Sequence, residues 1–504
     1  MNPSDRRFFY HKRKEIYFSN RIFKYLFTLI RLRDIHSGIG INLSQPHIDL
    51  MKHFVLSLAL ILAINVSLCA QTSDAANTAI KYRWTLAEAK QLALERNPTL
   101  AQAKARIDSA AAQMRIAQAA YWPTLDFNAK ANRNRDRATR PASDYDNNTR
   151  YSTGLSSEWV IFDGFQRRFN NISAKYGLDS SVQNHYDVQR LLLHTVSSAF
   201  YVALLAQDNM EIARQDADFN RILLEDARKR HGGGIAPPSE VLNFELQVGN
   251  AEVDYITAER AWRAAIVALA ALLEVSEDDI WNKVELIPPS AELLRYQISL
   301  QKLLDYAVTN RPDLHIANNQ IAKAQAAVGA SKSAWYPRIS LFADYDFERA
   351  DSLRFHKDKD RNVSYGIALR WNLFEGNKTM AAIAWAQAEL QAAIEAKDGL
   401  LLEIDAEIRQ NILAWESSRK QHALQESIHA TAKRIRDLVH QEYLGGTTTI
   451  TRLNEVQSDV TISAAARSRS YVQALNNLEQ LAASSGLILK PDYLLELGKA
   501  PKEP

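Results

Sequence analysis

The stretch AAYWPTLDFNAK at residues 119–130 changes its pattern of apolar residues at Pro123. Before the proline it is alanine-rich and typical of a helix, and after it apolar and polar residues alternate one by one. Alternation with a period of two indicates a strand, and proline commonly ends a helix. Residues 333–344, SAWYPRISLFAD, change in the same way at Pro337. The chain therefore contains two predicted helix-to-strand junctions.

The two junctions belong to an internal duplication that covers most of the chain. Equivalent residues lie 214 positions apart early in the repeat and 212 positions apart later, as in the pairs Pro98 and Pro312, Pro123 and Pro337, Gly164 and Gly376, and Gly234 and Gly446. A constant offset over such a length indicates a repeated structural unit. The change in offset falls between 123 and 154, so we predict that the polar segment 134–149 is a loop that tolerates changes of length.

Each repeat predicts two helices, a strand, a loop, a second strand and a very long helix. In the first repeat Thr85 and Glu88 have the spacing of a capping box, and the long helix is predicted from about 165 to 230. In the second repeat the predicted elements are helices at 299–310 and 312–335, strands at 338–347 and 362–373, and a long helix at 377–444. At 1.5 Å per residue, each long helix measures about 100 Å.

An apolar seam runs along the second long helix. Apolar residues recur there every three or four positions, at Leu401, Ile404, Ile408, Ile412 and Trp415. This spacing predicts a face that packs against neighbouring helices.

A second methionine, Met51, begins a stretch typical of a secretory signal peptide, MKHFVLSLALILAINVSLCAQT. It has one lysine, an apolar core and small residues near Cys69, which are the three parts of such a signal. The alternative is a buried or membrane helix, but the run is short and polar residues follow it. We predict a signal peptide at 51–70 and expect 1–50 to be an upstream extension before the true initiator.

The charge and the cysteine content argue against several classes of protein. Residues 1–50 carry nine Lys or Arg and four Asp or Glu, and Lys52 adds one positive charge. Of 61 basic and 58 acidic residues, 51 and 54 therefore lie beyond Ala70, a formal charge of −3, and nothing there indicates a nucleic-acid partner. Cys69 is the only cysteine, which leaves no internal disulfide or thiolate cluster. Lipidation of Cys69 is an alternative that Leu68 before it fits badly.

The predicted strands have the length and pattern of membrane-spanning strands. Roughly ten alternating residues in each copy end near Trp159 or Trp371, which suits a lipid-facing strand with an aromatic anchor at the membrane surface. An ordinary half-buried hairpin is the alternative. Four strands cannot close a barrel, and an open edge cannot lie in lipid, so closure requires several chains. Two copies give eight strands with a filled interior, whereas three give twelve and room for an aqueous bore.

Motifs in this order resemble the TolC-like outer-membrane efflux protein family. They are TLAEAKQLALERNPTL, AYWPTLDF, VIFDGFQRR, SAFYVALLAQDNMEIA and GGGIAPPSEVL, each with a counterpart in the second repeat. The resemblance implies a mixed α and β membrane protein: a homotrimer whose twelve-stranded β-barrel, four strands per chain, lies in outer-membrane lipid. Below the barrel, a long α-helical barrel crosses the periplasm to meet a periplasmic adaptor protein and an inner-membrane transporter.

The resemblance also implies an organisation into segments. A first repeat spans 84–273, an equatorial linker 274–298, a second repeat 299–485 and a C-terminal tail 486–504. The linker and the tail would form a collar around the middle of the helices.

The periplasmic tip would lie at the turns 230–240 and 443–452, around Gly234 and Gly446. Family members often close this end with aspartates just after the second turn, but here those positions hold Arg452 and Glu455. We predict that these two residues and Glu240 form a gate in which Arg–Glu pairs replace a purely acidic constriction. The alternative is an ordinary solvated start of a helix.

Other chemistry is weakly represented in the sequence. The twelve histidines form no metal-binding motif, and HGGGIAPP at 231–238 lacks the Gly-Lys-Ser/Thr of a phosphate loop. The carboxylates of Glu403 and Glu407 are interpreted as solvated groups on an exposed helix face. We predict no enzyme activity, no cofactor and no metal.

Two functions from different classes remain. The first is an outer-membrane channel of a tripartite efflux or export system, with a protein-secretion duct as a variant. The second is a periplasmic coiled-coil scaffold that conducts nothing. The alternating strands favour the channel.

Overall fold

The computed structural model describes residues 82–137, 145–276, 280–350 and 353–498. The predicted extension 1–50, the signal peptide 51–70 with Cys69, and the end of the predicted tail lie outside these residues. Everything below concerns the described part of the chain.

The first repeat begins with a short strand, β1 (Tyr82–Trp84), and two helices, α1 (Leu86–Arg96) and α2 (Pro98–Ala119). Two long strands follow, β2 (Thr124–Arg137) and β3 (Tyr145–Phe162). The repeat ends with a helical hairpin made of α3 (Gln166–Gly232) and α4 (Pro238–Leu272).

A linker with the short strand β4 (Val284–Leu286) leads into the second repeat, which has the same order of elements. These are α5 (Leu300–Asn310), α6 (Pro312–Lys332), β5 (Arg338–Ala350), β6 (Arg361–Arg370), α7 (Lys378–Leu444) and α8 (Ile450–Ser485). A short helix, α9 (Tyr493–Gly498), lies in the tail. The helices α3 and α7 each contain 67 residues, so the duplication predicted from the sequence is present in the fold.

The predicted capping box is confirmed. The Thr85 hydroxyl accepts a hydrogen bond from the backbone N–H of Glu88, and the Glu88 carboxylate accepts one from the N–H of Thr85 at 2.8 Å. Both bonds satisfy N–H groups that the start of a helix leaves without partners.

Several predicted boundaries were wrong, among them the end of β5, which lies at Ala350 rather than at 347. The strands β2 and β3 extend into the predicted loop 134–149, because antiparallel backbone pairing continues from Thr124↔Glu158 as far as Arg137↔Tyr145. Backbone ladders do not require apolar side chains, so the polar sequence hid this extension. The strand β6 ends at Arg370 rather than 373, opposite the first residue of β5. The helix α6 ends at Lys332 and continues as a single 3₁₀ turn to Trp335.

The four long strands form one antiparallel sheet in the order β2-β3-β5-β6. The strands β3 and β5 join the two repeats, with Leu155 opposite Tyr345. The edges β2 and β6 have no partner strand among the described residues. A separate two-stranded sheet pairs β1 with β4 in parallel and so ties the linker to the start of the first repeat.

The helices extend away from the sheet and pack against one another. Near the strands, α3 packs against α2 and α6, and α6 packs against α7. Farther along, α3 packs against α4 and α8, and α8 packs against α7. One of these helices, α3, contains an 18-residue stretch that is long and apolar enough to cross a membrane, but half of that stretch is buried inside the protein, as in a core helix.

Three apolar clusters hold the helices together. The first joins α1, α3, α4 and the linker around Phe200, and the second joins α5, α7, α8 and the tail around Trp415. Ile404, Ile408 and Trp415 of the predicted seam are buried in the second cluster. The third lies at the far end of the hairpins, where Phe244 and Tyr443 belong to one core. Burial of these side chains supplies the main free energy of packing.

Candidate functional sites at the two ends of the helices

The hairpin tips are turned by glycines in equivalent positions. Gly234 and Gly446 both have φ of 75°, in the left-handed region that favours glycine, and each is the second residue after the end of a long helix. After the second turn, the Thr449 hydroxyl caps α8 by accepting a hydrogen bond from the N–H of Arg452 at 3.3 Å. The sequence predicted both tips at these residues.

A polar cluster links the two repeats just above the tips. The Tyr443 hydroxyl on α7 donates a hydrogen bond to the Glu240 carboxylate on α4. The Arg230 guanidinium on α3 lies 3.4 Å from the same carboxylate and 4.7 Å above the Tyr443 ring. Burial and the hydrogen bond to Glu240 raise the pKa of Tyr443 well above its usual value, so the phenol stays protonated and remains a donor. One carboxylate therefore holds three helices together.

Arg452 and Glu455 lie together, as their spacing predicted, but within one helix. The Arg452 Nη1 to Glu455 Oε2 distance is 3.1 Å, and both side chains are more than half exposed. Glu240, the third predicted gate residue, belongs to the partly buried polar cluster with Arg230 and Tyr443. The sequence missed the contributions of Arg230 and Tyr443, although both were named as limits of the tip turns. No residue pattern in either turn indicated which side chains meet.

The strand-to-helix junctions are also built around glycine. Gly164 and Gly376 have φ of 67° and 59°, and Phe165 and Asn377 after them are also left-handed. This pair of left-handed residues redirects the chain from strand to helix. It occurs in both repeats, as the Gly164–Gly376 equivalence predicted.

The first junction is further stabilised by an arginine. The Arg167 guanidinium donates hydrogen bonds to the carbonyl oxygens of Val160, at 2.5 Å, and Ile161, at 3.1 Å. It also bonds to the Asp163 carboxylate at 2.9 Å. Thr379 occupies the equivalent position in the second repeat, so the second junction lacks this guanidinium.

The two predicted interfacial tryptophans make the same contact in each repeat. The Trp159 indole N–H donates to the Tyr121 carbonyl at 2.9 Å, and the Trp371 N–H donates to the Trp335 carbonyl at 3.2 Å. Each bond joins the chain near the end of a strand to the turn before the neighbouring strand, and both tryptophans remain exposed, Trp159 by 44% and Trp371 by 54%. Pro123 and Pro337 lie in the adjoining turns, directly before β2 and β5.

The sheet has one apolar and one polar face. The apolar face exposes large side chains to the surroundings, among them Leu125, Phe127, Leu155, Leu341, Tyr345, Val363, Tyr365 and Ile367. The opposite face has polar residues in the same registers, such as Asp126, Ser156, Asp344 and Ser364 in one row.

A buried ionic cluster lies in the middle of the molecule, where the tail meets both repeats. The Lys90 ammonium lies 2.6 Å from the Glu479 carboxylate and donates to the Tyr493 hydroxyl at 2.5 Å. The Tyr493 hydroxyl in turn donates to Glu479 at 2.5 Å, and Ser197 bonds to the same carboxylate at 3.2 Å. Burial lowers the pKa of Lys90, and Glu479 opposes this shift by favouring the charged amine.

The interpretation of Glu407 as a merely solvated group was wrong. Its carboxylate lies 2.9 Å from the buried Arg311 guanidinium, which also pairs with Asp313 at 2.6 Å. The periodicity of α7 placed Glu407 beside the apolar seam but did not reveal that a buried cation lies directly before α6. Glu403 is exposed, as predicted.

Within the described residues, no group of three or more His, Cys, Asp or Glu side chains could hold a metal ion. The polar clusters at the tip and the centre are ion pairs and hydrogen bonds between helices. These clusters join the helices near the tips and in the middle of the molecule, and one face of the sheet remains apolar and exposed.

The model of the outer membrane efflux protein family matches this chain twice, at residues 89–274 and 303–487. The chain therefore belongs to that family of outer-membrane channel components and is located in the outer membrane. The two matched segments coincide with the two repeats.

Individual relatives agree with this assignment. Protein CyaE of Bordetella pertussis is 27% identical over 338 residues, which cover 67% of this chain and 70% of that protein. The pyoverdine export outer membrane protein OpmQ of Pseudomonas aeruginosa is 25% identical over 404 residues, 77% and 83% of the two chains. The crystal structure of the CmeC outer membrane channel of Campylobacter jejuni has the same fold, with a TM-score of 0.68 at 18% identity, covering 80% of this chain and 85% of that one.

Proposed function

We propose that three copies of this chain form an outer-membrane duct that carries substrates out of the cell. A periplasmic adaptor protein and an inner-membrane transporter would deliver them to its periplasmic end. The proposal rests on surfaces of the single chain that lack a partner among the described residues. These are the two edge strands of the sheet, the turn beside each edge, and apolar seams on two helices.

The contact around Gly164 is the observation that carries the proposal. A Cβ atom at Gly164 would lie 2.5 Å from the Ser333 carbonyl oxygen and 2.8 Å from the Tyr336 Cβ, so this glycine is covered by the other repeat. A Cβ atom at the equivalent Gly376 would meet nothing within 4 Å. The duplication makes Ala119 and Trp122 the counterparts of Ser333 and Tyr336.

Trp122 lies at the opposite edge of the sheet, next to β2, and is 75% exposed. A second copy placed against β6 would bring its Trp122 onto Gly376 and repeat the internal contact between the repeats. The two turns already match, because Trp122 N–H bonds to Ala119 O at 3.0 Å and Tyr336 N–H bonds to Ser333 O at the same distance. The missing partner of each edge is therefore another copy of this chain.

The helices offer complementary edges too. On α4, Leu242, Leu246, Val253 and Ile256 are exposed, and on α7, Leu424, Leu438, Ile428 and Ile435 are exposed. Along each helix these residues are spaced by four, seven and three positions, which places them on one face. Such a heptad-like seam is typical of a surface that packs against another helix. Three copies would let α4 of one chain cover α7 of the next.

The number of copies follows from the sheet. An apolar face with open edges is unstable in lipid until the edges close. Two copies would enclose eight strands, whose side chains fill the interior, whereas three enclose twelve around a bore. The tip cluster of Arg230, Glu240 and Tyr443, with Arg452 and Glu455 nearby, would form the gate at the other end of this bore.

A pair of cysteines tests the proposed contact. Phe162 and Tyr336 lie with their ring centroids 6.4 Å apart inside one chain, and their counterparts across the proposed interface are Phe374 and Trp122. In a Cys69→Ser background, Trp122→Cys with Phe374→Cys should form disulfides between chains, up to a covalent trimer on denaturing gels. Phe162→Cys with Tyr336→Cys is the matched control and should link only within a chain.

Two further measurements separate the alternatives. Light scattering that found a folded monomer in mild detergent would refute the assembly. Purified protein should conduct ions across a planar bilayer, whereas a periplasmic scaffold would not. The inner-membrane protein that co-purifies with the duct would distinguish small-molecule efflux from polypeptide secretion.

A further inference from the structure

The two helical hairpins differ in the residues that line their seams. In the second hairpin, His422 Nδ1 lies 3.2 Å from Ser470 Oγ, and His429 Nδ1 lies 3.2 Å from Ser463 Oγ. Both histidines belong to α7 and both serines to α8. The histidines are seven residues apart, so they lie two turns from each other on one face of α7.

The first hairpin has no titratable group at the same four positions. The offset of 212 makes Met210 and Ala217 on α3 the counterparts of the histidines, and Ala258 and Ala251 on α4 the counterparts of the serines. Ala217 and Ala251 are almost fully buried. The same backbone seam is therefore closed by apolar contact in one repeat and by His–Ser pairs in the other.

The hydrogen bonds of the serines determine which ring nitrogen carries a hydrogen. The Ser463 hydroxyl donates to the Val460 carbonyl at 2.9 Å, and the Ser470 hydroxyl donates to the Arg467 carbonyl at 2.8 Å. A hydroxyl has one proton to donate, so each oxygen must accept from a histidine Nδ1–H. A neutral ring with its proton on Nδ1 has its lone pair on Nε2, which is where an added proton would bind.

The surroundings of both rings oppose that added proton. Burial lowers the pKa of His429, and the Arg467 and Lys433 side chains lower it further, against the opposing effect of Glu426. Burial also lowers the pKa of His422, together with the Arg467 guanidinium, while Glu426 and the Arg467 carbonyl act in the opposite direction. The His422 ring in addition lies 5.2 Å from the Tyr471 ring, between centroids.

The remaining charged groups near His429 lie on α3 and α7 and already have partners. His429 lines a groove of about 290 Å³ whose α3 side presents Asp208, Glu211 and Asp216. On α7, Arg436 lines the same groove and pairs with Asp437 at 2.7 Å. Asp208 accepts a hydrogen bond from Ser468, Glu211 pairs with Arg214, and Asp216 accepts bonds from Gln457 and Thr461. No carboxylate among the described residues forms an ion pair with either imidazole, so a positive charge there would lack close compensation.

We propose that His422 and His429 make the α7–α8 seam proton-sensitive, so that the second hairpin loosens in mildly acidic solution while the first does not. A histidine whose pKa is lower in the packed state than in the loosened state contributes stability that is fully present above the ordinary pKa of 6.5 and is lost as pH falls below it. Each ring can shift the equilibrium by at most about tenfold at pH 5.5, since that is its ratio of charged to neutral form at an ordinary pKa. This device concerns packing and does not depend on conduction.

Hydrogen–deuterium exchange of the full chain in detergent at pH 7.5 and pH 5.5 tests the proposal, after correction for the intrinsic exchange rate. Amides in 420–470 should exchange severalfold faster at the lower pH, whereas those in the equivalent segment 208–258 should not. The variant His422→Met, His429→Ala, Ser463→Ala and Ser470→Ala gives the second seam the residues of the first and should lose the difference. If that variant fails to fold, His422→Gln with His429→Gln keeps a hydrogen-bond donor for each serine and should also lose the difference in exchange between the two pH values.

His315→Gln serves as the control, because His315 is exposed on α6 and should leave the acid response intact. Equal protection of 420–470 at both values of pH in the unaltered protein would overturn the proposal. So would an acid response that persists in a folded histidine-free seam, which would point to groups such as Asp208. A loosened seam without any conduction would leave the proposal standing and count against the duct.

Discussion

The two strand-to-helix junctions have the same backbone but different surroundings. Gly164 and Gly376 are both left-handed and both precede a 67-residue helix. The first is covered by Ser333 and Tyr336 and fastened by Arg167, whereas the second faces open space. Their difference shows that local sequence sets the turn, while the position of the junction in the sheet decides what covers it.

The ends of the hairpins show the same contrast in another form. In the first repeat, the Asn97 side chain donates to the Leu272 carbonyl at the end of α4, at 3.0 Å. In the second, its counterpart Arg311 donates to the Ser484 carbonyl near the end of α8, at 2.5 Å, and is neutralised by Asp313 and Glu407. An amide and a guanidinium both satisfy carbonyls that the end of a helix leaves open. The charged group, Arg311, occurs in the second repeat, where the C-terminal tail also covers the end of the helix.

The largest expected effect concerns the central ionic cluster. It pairs Lys90 of the first repeat with Glu479 of the second, and the equivalent position of each in the other repeat holds no charge. The counterparts of Lys90 and Glu479 are Leu304 and Val267. Lys90→Leu should leave the Glu479 carboxylate buried without a cation and cost about 3–5 kcal/mol. The midpoint of thermal unfolding in detergent measures the loss.

Replacing both partners should recover most of that stability. Lys90→Leu with Glu479→Val removes the buried charges and fills the space with apolar groups, which is often neutral or favourable. A double variant as unstable as Lys90→Leu alone would show that the charges are not the source of the loss.

The next effect concerns the tip, where the repeats are joined. Tyr443→Phe removes the donor to Glu240, and hydrogen bonds to charged groups contribute about 1.5–3 kcal/mol. If the cluster holds the tip closed, the open probability in a planar bilayer should rise roughly tenfold or more. Tyr365→Phe, on an exposed position of β6, is the control and should change nothing. Unchanged gating in Tyr443→Phe would assign the cluster to structure alone.

The glycine pair sharpens the comparison directly. Alanine at either position adopts an unfavourable left-handed conformation and should cost about 1–3 kcal/mol. Gly164→Ala also forces a contact with Ser333 and should be damaging at any protein concentration. Gly376→Ala has the backbone strain at every concentration and should become as damaging as Gly164→Ala only once copies associate, because its covering residues would come from the next chain. Unfolding midpoints measured across a dilution series test this, and a Gly376→Ala effect that does not grow with protein concentration would contradict it.

The smallest effect concerns the exposed pair at the start of α8. Exposed ion pairs contribute about 0.2–1 kcal/mol, so Arg452→Glu should favour opening only modestly, through repulsion between like charges. Single-channel conductance should rise at low salt and return towards the original level as salt is added, because surface charges are screened. Arg452→Glu with Glu455→Arg should partly restore closure. Conductance identical to that of the unaltered protein at low salt would mean that the pair is only a solvated helix start.

The sequence predicted much of the fold because the relevant signals are local. The offset between repeats gave the order of elements, the capping box fixed the start of α1, and Gly234 and Gly446 marked the tips. Where the prediction failed, as in the extent of β2 and β3, pairing between backbones overrode a polar sequence. The tips were located, but the side chains that meet there were not.

By itself, then, the sequence determined the order of helices, strands and turns and the positions of the turns, since those depend on backbone conformations that neighbouring residues restrict. Only the tertiary structure decided which charged groups are buried together. Tyr443 and Glu240 are 203 positions apart, Lys90 and Glu479 are 389 apart, and Arg311 and Glu407 are 96 apart. Such partners cannot be read from local patterns, because burial of a charge is tolerated only where another element delivers its counter-charge.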